Sequence, residues 1–353
     1  MTDRTARVRE QLVLLCEQDT NVRTLRLALL PLLRRVIGFD AYVWLATDPE
    51  TSVGSAPLAD VPCLPELPRL IRLKYCTTVN RWTGLSAPVA SLHQATGGDL
   101  ERSLMWRDLL RHYQVTDIAS SVFRDRFGCW GFLDLWRLQD APAFTTAELD
   151  FLHSVTAPLT AALRRSQAAT FTTEHAGAPP PAGPAIMLLS PELQVRATTP
   201  PTQHYLRQLI PPDSPGRAPI PAGAYNVGAQ LLAREAAVDA NPARARVHLG
   251  SGHWLTLRAA RMDSGAPVPE RDIAVTIETT APSERLTLFA RSYGLSTRET
   301  ELLAHLRTGA NTREVARLMF LSENTVQDHL KSVFAKTGSR TRQTLLAHAL
   351  GTQ

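Results

Sequence analysis

Near the C-terminal end of the chain stands NTREVARLMFLSENTVQDHLKSVFAKTG, Asn311 to Gly338, in which two short helical patterns follow one another with barely a turn between them. The first is about two turns long and places Val315, Ala316 and Met319 on one side. The second begins after Ser322 and carries Val326, Leu330, Val333, Phe334 and Thr337 as an apolar stripe. A helix of two turns does not survive alone in water, because nucleation is costly and few bonds repay it. The pair must therefore share a core with neighbours. LSTRETELLAHL before it offers Leu302, Leu303 and Leu306 on one face, and TRQTLLAHAL after it offers a fourth helix. Boundary signals agree with this division: Ser296 with Glu299 and Asn311 with Glu314 stand at capping-box spacing, Ser322 precedes the third helix, and Gly338 follows it as a stop. Four short helices around one core leave the third as a projecting ridge whose outer face carries Asn324, Gln327, Asp328 and Lys331.

Charge suggests what the ridge meets. The 353-residue chain has a formal net charge of +5, and Ser283 to Gln353 holds ten Lys or Arg against six Asp or Glu, so most of the excess lies in the last fifth. A basic terminal module favours a polyanion. A helical ridge fits a major groove, where Gln, Asp and Lys reach base edges while hydroxyls and helix N-termini meet phosphates. The rival reading is a protein-interaction scaffold or signalling protein whose helical bundle does not bind DNA, since a polar face opposite an apolar stripe occurs on most surface helices.

The stretch Leu295 to Arg342 resembles the LuxR-type helix-turn-helix domain nearly throughout. Its opening appears as Leu295, Ser296, Arg298, Glu299, Glu301, Leu302 and Leu303, and its glycine as Gly309. Thr312, Glu314, Val315 and Ala316 follow, then Leu318, Ser322, Thr325, Val326 and His329, then Leu330, Phe334, Lys336, Gly338 and Arg342. The resemblance implies that the third helix enters the major groove of double-stranded DNA, with Gln327, Asp328 and Lys331 facing the bases. It also implies contacts to DNA from Asn311, Thr312, Ser322, Asn324, Thr325, Lys336 and Arg340, a homodimer on a two-fold related operator, and RNA polymerase as a further partner. Three positions depart from the family pattern: Asp328 stands where an apolar or basic residue is usual, Thr337 replaces Leu, and Thr312 replaces Asn. A carboxylate at 328 either accepts from cytosine N4 or disfavours other sequences.

Upstream, Thr24 to Val36 is dense in leucine and reads as a helix with Pro31 as a start or kink, followed by the strand-like FDAYVWLATD. DIASSVFRDRFGCWGFLDLWRL gives two more strands, and Thr145 with Glu148 caps a long helix ending near Arg165. EHAGAPPPAGPA then interrupts every periodicity and reads as a linker. Beyond it come strand, turn and strand in AIMLLSPELQVRATTP, a helix in YNVGAQLLAREAAV, a hairpin turned at Gly250 to Gly252, and a last strand in DIAVTIETT. Both segments loosely resemble the GAF and PAS sensory folds in element order and size. The expected organisation is multidomain: residues 1–168 a GAF-like α+β domain, 169–183 a Pro-rich linker, 184–281 a PAS-like α+β domain, and 282–353 an all-α tetrahelical LuxR-type domain.

Other classes are disfavoured. Neither a receiver-like acidic pair nor a GxxxxGK[ST] loop is present, and no nucleophile or paired carboxylates stand at a working spacing, so an enzyme is not expected. Cys16, Cys63, Cys76 and Cys129 lack metal or disulfide spacing and read as reduced thiols; Cys76, Cys129 and His112 are the residues that could anchor a tetrapyrrole or haem in a sensory domain, but they read as ordinary core or surface residues, and neither cofactor nor metal is expected. With 44% hydrophobic and 20% charged residues, no leader pattern and no long apolar run, the chain reads as a cytoplasmic protein away from membranes. Together these features suggest a one-component transcriptional regulator with an unknown effector.

Overall fold

The computed structural model describes residues 3–172, 183–209, 219–249, 253–263, 265 and 267–351. Helices α1 (Asp3–Glu17) and α2 (Val22–Val36) lead into strands β1 (Ala41–Thr47) and β2 (Gly54–Asp60), then α3 (Leu67–Cys76), β3 (Val89–Ser91) and the short α4 (Leu92–Thr96) and α5 (Leu104–Asp108). The long strands β4 (Val115–Asp125) and β5 (Gly128–Leu138) and the helix α6 (Thr146–Ala169) complete this part. The five strands form an antiparallel sheet in the order β2-β1-β5-β4-β3. Strand alternation sends Trp44, Phe123, Leu133 and Leu135 to one face, where they meet the leucines of α1, α2 and α6. Leu45, Val122 and Phe132 go to the other face, into a core shared with the following unit. Burial on both faces explains why β5 reads as a nearly continuous apolar run.

The second sheet repeats this order. Strands β6 (Ala185–Leu189) and β7 (Val195–Thr198), helices α7 (Pro200–Leu209) and α8 (Ala222–Glu235), and strands β8 (Arg244–His248), β9 (Trp254–Arg261) and β10 (Ile273–Thr279) give an antiparallel sheet β7-β6-β10-β9-β8. The expected hairpin turn at Gly250 to Gly252 lies outside the described residues, as do residues 173–182 of the expected linker. The linker's first residues differ from expectation. Helix α6 continues to Ala169, and Phe171 is buried against Trp254 and Phe289 because the aromatic ring has an apolar pocket to enter.

The two sheets are joined by close approach and by charge. Asn226 on α8 donates to the Gly54 carbonyl at 3.0 Å, and a Cβ on Gly54 would stand 3.1 Å from Asn226 Nδ2 and 2.7 Å from Leu45, so glycine leaves room for this close approach. Asp48, wholly buried after β1, accepts from Arg246 Nε and Nη2, each at 2.7 Å, and from the Arg246 backbone N–H. Burial alone would raise the Asp48 carboxyl, but Arg246 holds it below the usual carboxylate range.

The last part is helical: α9 (Pro282–Ser292), α10 (Thr297–Arg307), α11 (Thr312–Leu318), α12 (Glu323–Thr337) and α13 (Arg342–Leu350). The capping boxes at Ser296 and Asn311 form, Ser322 and Thr341 cap α12 and α13, and Gly338 ends α12 with φ +67°. The core of Leu302, Leu303, Val315, Val326, Leu330 and Leu345 extends to Phe171 and Trp254. Helix α9 was not marked out by sequence, although Pro282 at its start and Leu286, Phe289 and Ala290 at helical spacing carry the signal. Among the described residues, no helix is long and apolar enough to cross a membrane.

The Asp48–Arg246 pair generates a prediction. Arg246→Met should destabilise the protein by about 3–5 kcal/mol, because it strands a buried carboxylate. Asp48→Asn in that background should recover a large part by removing the charge while retaining acceptor contacts to backbone N–H groups. Urea unfolding of the single and double variants checks this; strictly additive losses would rule out a coupled pair.

Candidate nucleic-acid interface

The ridge is built from three short pieces. Helix α11 ends at Leu318, Leu321 N–H returns to the Ala316 carbonyl at 2.9 Å, and Ser322 opens α12. Ser322 Oγ accepts from Thr325 N–H at 3.1 Å and lies 2.8 Å from the Thr325 hydroxyl. Val326, Leu330 and Val333 are buried at spacings of four and three, so the helix is fixed about its own axis. That leaves Asn324, Gln327, Asp328 and Lys331 exposed along one side. Gln327 makes no hydrogen bond among the described residues, whereas Lys331 Nζ lies 3.3 Å from Asp328 Oδ1. The departure at Asp328 thus has a local partner: the lysine offsets the carboxylate that would otherwise repel phosphate.

Glu299 holds the ridge in place. Its carboxylate, 3% exposed, is the reciprocal half of the α10 capping box, accepting from Ser296 N–H at 2.6 Å. The same group accepts from Ser332 Oγ at 2.6 Å and from Lys336 Nζ at 2.6 and 2.8 Å, both on α12. Burial works to raise the carboxyl, but the bonds from Lys336, Ser332 and Ser296 bring it down to about 2. One carboxylate therefore caps α10 and ties down the C-terminal half of α12.

The remaining sequence-marked residues fall into two groups. Asn311 is exposed and its side chain is occupied as the α11 cap, accepting from Glu314 N–H. Thr312 accepts from Arg342 Nη2 at 2.5 Å, joining the starts of α11 and α13. Arg340 is exposed in the loop between α12 and α13. Lys336 is the exception: its ammonium is engaged by Glu299 at a half-buried position, which makes it a tie between helices rather than a free cation. Sequence reasoning passed over Arg313 and Arg317, exposed on α11 beside the marked Asn311 and Thr312. It also passed over Phe320, which is 94% exposed at φ 57° in the turn between α11 and α12. Only the apolar type of Phe320 in a polar turn could have drawn notice.

The Glu299 geometry has a pH signature. The carboxyl is depressed in the folded chain from an ordinary 4.5, so its stabilisation is complete above that value and is lost as pH falls toward 2. Glu299→Gln should lower stability at pH 7 by on the order of 3 kcal/mol, and the gap to wild type should shrink by about 1.4 kcal/mol per unit as pH falls below 4.5. Denaturant unfolding at stepped pH reads this out; a gap independent of pH would contradict the assignment.

Comparison with known proteins bears on the same residues. Residues 294–349 match the family model GerE, described as bacterial regulatory proteins, luxR family. Over 48 residues the chain is 48% identical to the probable csgAB operon transcriptional regulatory protein of Salmonella typhimurium strain LT2. The same identity over the same length is found with the CsgBAC operon transcriptional regulatory protein of Escherichia coli strain K12. Each match covers 14% of this chain and 22% of the relative. Among solved structures, a VqmA–ligand–DNA complex from Vibrio cholerae aligns at 21% identity over 49% of this chain and 83% of that one, with a TM-score of 0.21. A Vibrio cholerae VqmA dimer without target DNA aligns at 19% identity over 49% and 84%, with a TM-score of 0.18, so neither superposes as a whole. Residues 294–349 are a helix-turn-helix domain of the luxR family of bacterial regulatory proteins.

Proposed function

We propose that the chain is a sequence-specific transcriptional regulator that binds double-stranded DNA by laying α12 in the major groove. The observation that carries this reading is the exposed row Asn324, Gln327, Asp328 and Lys331 on a helix whose rotation is fixed by Val326, Leu330 and the Glu299 bonds. Rigid presentation matters, because base discrimination needs donors and acceptors held in register with base edges. Gln327 pairs with adenine N6 and N7, and Lys331 donates to guanine O6 or N7. The α12 N-terminus with Ser322 and Thr325, the start of α11, and Arg340 face phosphate, where contacts position without specifying sequence. One ridge covers few base pairs, so the chain works as a homodimer on a two-fold related site, and its task is binding rather than catalysis. The two sheet-containing parts serve as the sensory half of a one-component regulator acting in the cytoplasm, where its DNA is.

The variants separate reading from attachment. Gln327→Ala and Lys331→Ala should each relax base preference by about 1–3 kcal/mol at defined operator positions while leaving the melting temperature unchanged. Arg340→Ala should weaken specific and non-specific DNA alike and reduce the salt slope by about one. Lys336→Ala should lower stability before it lowers affinity, because it releases the buried Glu299 carboxylate. Anisotropy across an operator library at two salt concentrations, beside thermal melts, measures all four. A Lys331→Ala protein with intact base preference and a strongly lowered melting temperature would mean that the ridge faces the wrong way.

A further inference from the structure

A cavity of about 600 Å³ lies between the outer face of the first sheet, α3 and the start of α8. That volume falls within the roughly 300–1,000 Å³ of sites that hold small molecules. Most of its wall is apolar, from Leu45, Leu67, Leu70, Ile71 and Met105, with Trp136 at its side. Its polar groups divide into satisfied and unsatisfied ones. Lys74 and Asp134 form a closed pair at 2.9 Å, and Asp134 also accepts from Trp82 Nε1 and Ser120 Oγ, so this charge is balanced.

Three other groups are not satisfied. Arg26, 1% exposed, donates from Nε to the Val22 carbonyl and from Nη1 to the carbonyls of Trp44 and Ala56. Those last two carbonyls flank the irregular register of β1 against β2, where Ala56 takes φ 39°. Among the described residues, Arg26 Nη2 has no hydrogen-bond partner and no carboxylate pairs with the guanidinium; burial, with Arg23 nearby, pushes it down to about 9. Trp136 Nε1 and Asn226 Oδ1, both on residues 1% exposed, also lack partners among the described residues. Arg26, Trp136 and Asn226 all line the cavity, as do Val22 and Arg23 at the start of the 15-residue α2. A guanidinium without a counter-charge, a second one beside it and the positive end of a helix favour an anion in one place.

We propose that this cavity binds a small, mainly apolar molecule carrying one carboxylate or comparable anionic oxygen group, with its acid on Arg26 and its apolar body against α3. Trp136 and Asn226 contribute to the wall of the cavity, while their unpartnered Nε1 and Oδ1 atoms are themselves covered by neighbouring groups. Because Asn226 belongs to α8, an occupant touches both sheet-containing parts at once. The site is independent of α12, so a failure here leaves the DNA reading standing.

The test titrates the full chain with 8-anilinonaphthalene-1-sulfonate, whose rings and sulfonate match the two halves of the site. Saturable binding at one site per chain is expected, with decanoate displacing the probe about tenfold more tightly than 1-decanol or decyltrimethylammonium. Arg26→Gln, shown to be folded by circular dichroism, should bring decanoate to the level of decanol. Since Arg26 also holds sheet carbonyls, Ala59→Trp at the exposed rim is the second variant and should block the probe with Arg26 intact. Unsaturable probe binding, equal competition by the three amphiphiles, a folded Arg26→Gln protein that keeps its preference for decanoate, or an Ala59→Trp protein that binds the probe like wild type would each overturn the proposal.

Discussion

The buried pair of Asp48 and Arg246 is the constraint on which the arrangement of the chain depends. Neither charge tolerates the interior alone, so the first sheet cannot leave the second without exposing or stranding an ion. The pair sits within a wider set. Arg246 also meets Glu50, Arg244 bridges Glu50 and Glu284, and Glu284 is met again by Arg258. Glu284 lies in the first turn of α9, the helix that leads into the helix-turn-helix module. Charges from the first sheet, the second sheet and α9 thus form one connected cluster, with a fixed geometry at its buried end and an exposed rim at Arg258.

Apolar contacts reinforce the same junction. Phe171, beyond the end of α6, stacks on Trp254 of β9 and meets Phe289 and Tyr293 near the end of α9, while Arg285 lies over its ring. Arg291 donates to the Phe127 carbonyl and Tyr293 to the Ala168 carbonyl, so the end of α9 rests on the β4–β5 turn and on the end of α6. The helix-turn-helix core is consequently continuous with residues far upstream. A change in how the sheets pack has a short physical route to α9, through the Glu284 cluster and through Phe171. Under the proposed reading, this contiguity offers one packed route between the two sheets and the helix-turn-helix.

What could be read from the sequence was what is local. Ser296, Asn311, Ser322 and Thr145 announce helix starts within three or four residues, and Gly338 announces a stop, because caps are satisfied by near neighbours. Strands β4 and β5 were visible as strand-like runs and the α12 stripe as periodicity, both local signals. Pairings across long separations were not visible. Nothing near Asp48 names Arg246, and nothing near Lys336 names Glu299, since both sit where any surface charge could sit. The occupied state of Lys336 is therefore a structural finding, and so is the isolation of Arg26, whose place among leucines reads as a solvated helix face. The GAF and PAS likeness rested on element order and size, with no motif behind it. The expected boundary at 168 falls inside the end of α6, beyond which Phe171 packs into the last module.

The central claim is that α12 reads DNA sequence, and selection from a random duplex pool by the full chain tests it most directly. The account predicts enrichment of a short inverted repeat, its half-sites centred about one helical turn apart, bound more weakly as salt rises. A pool that remains unenriched after repeated rounds, with the protein folded and retained, would contradict it.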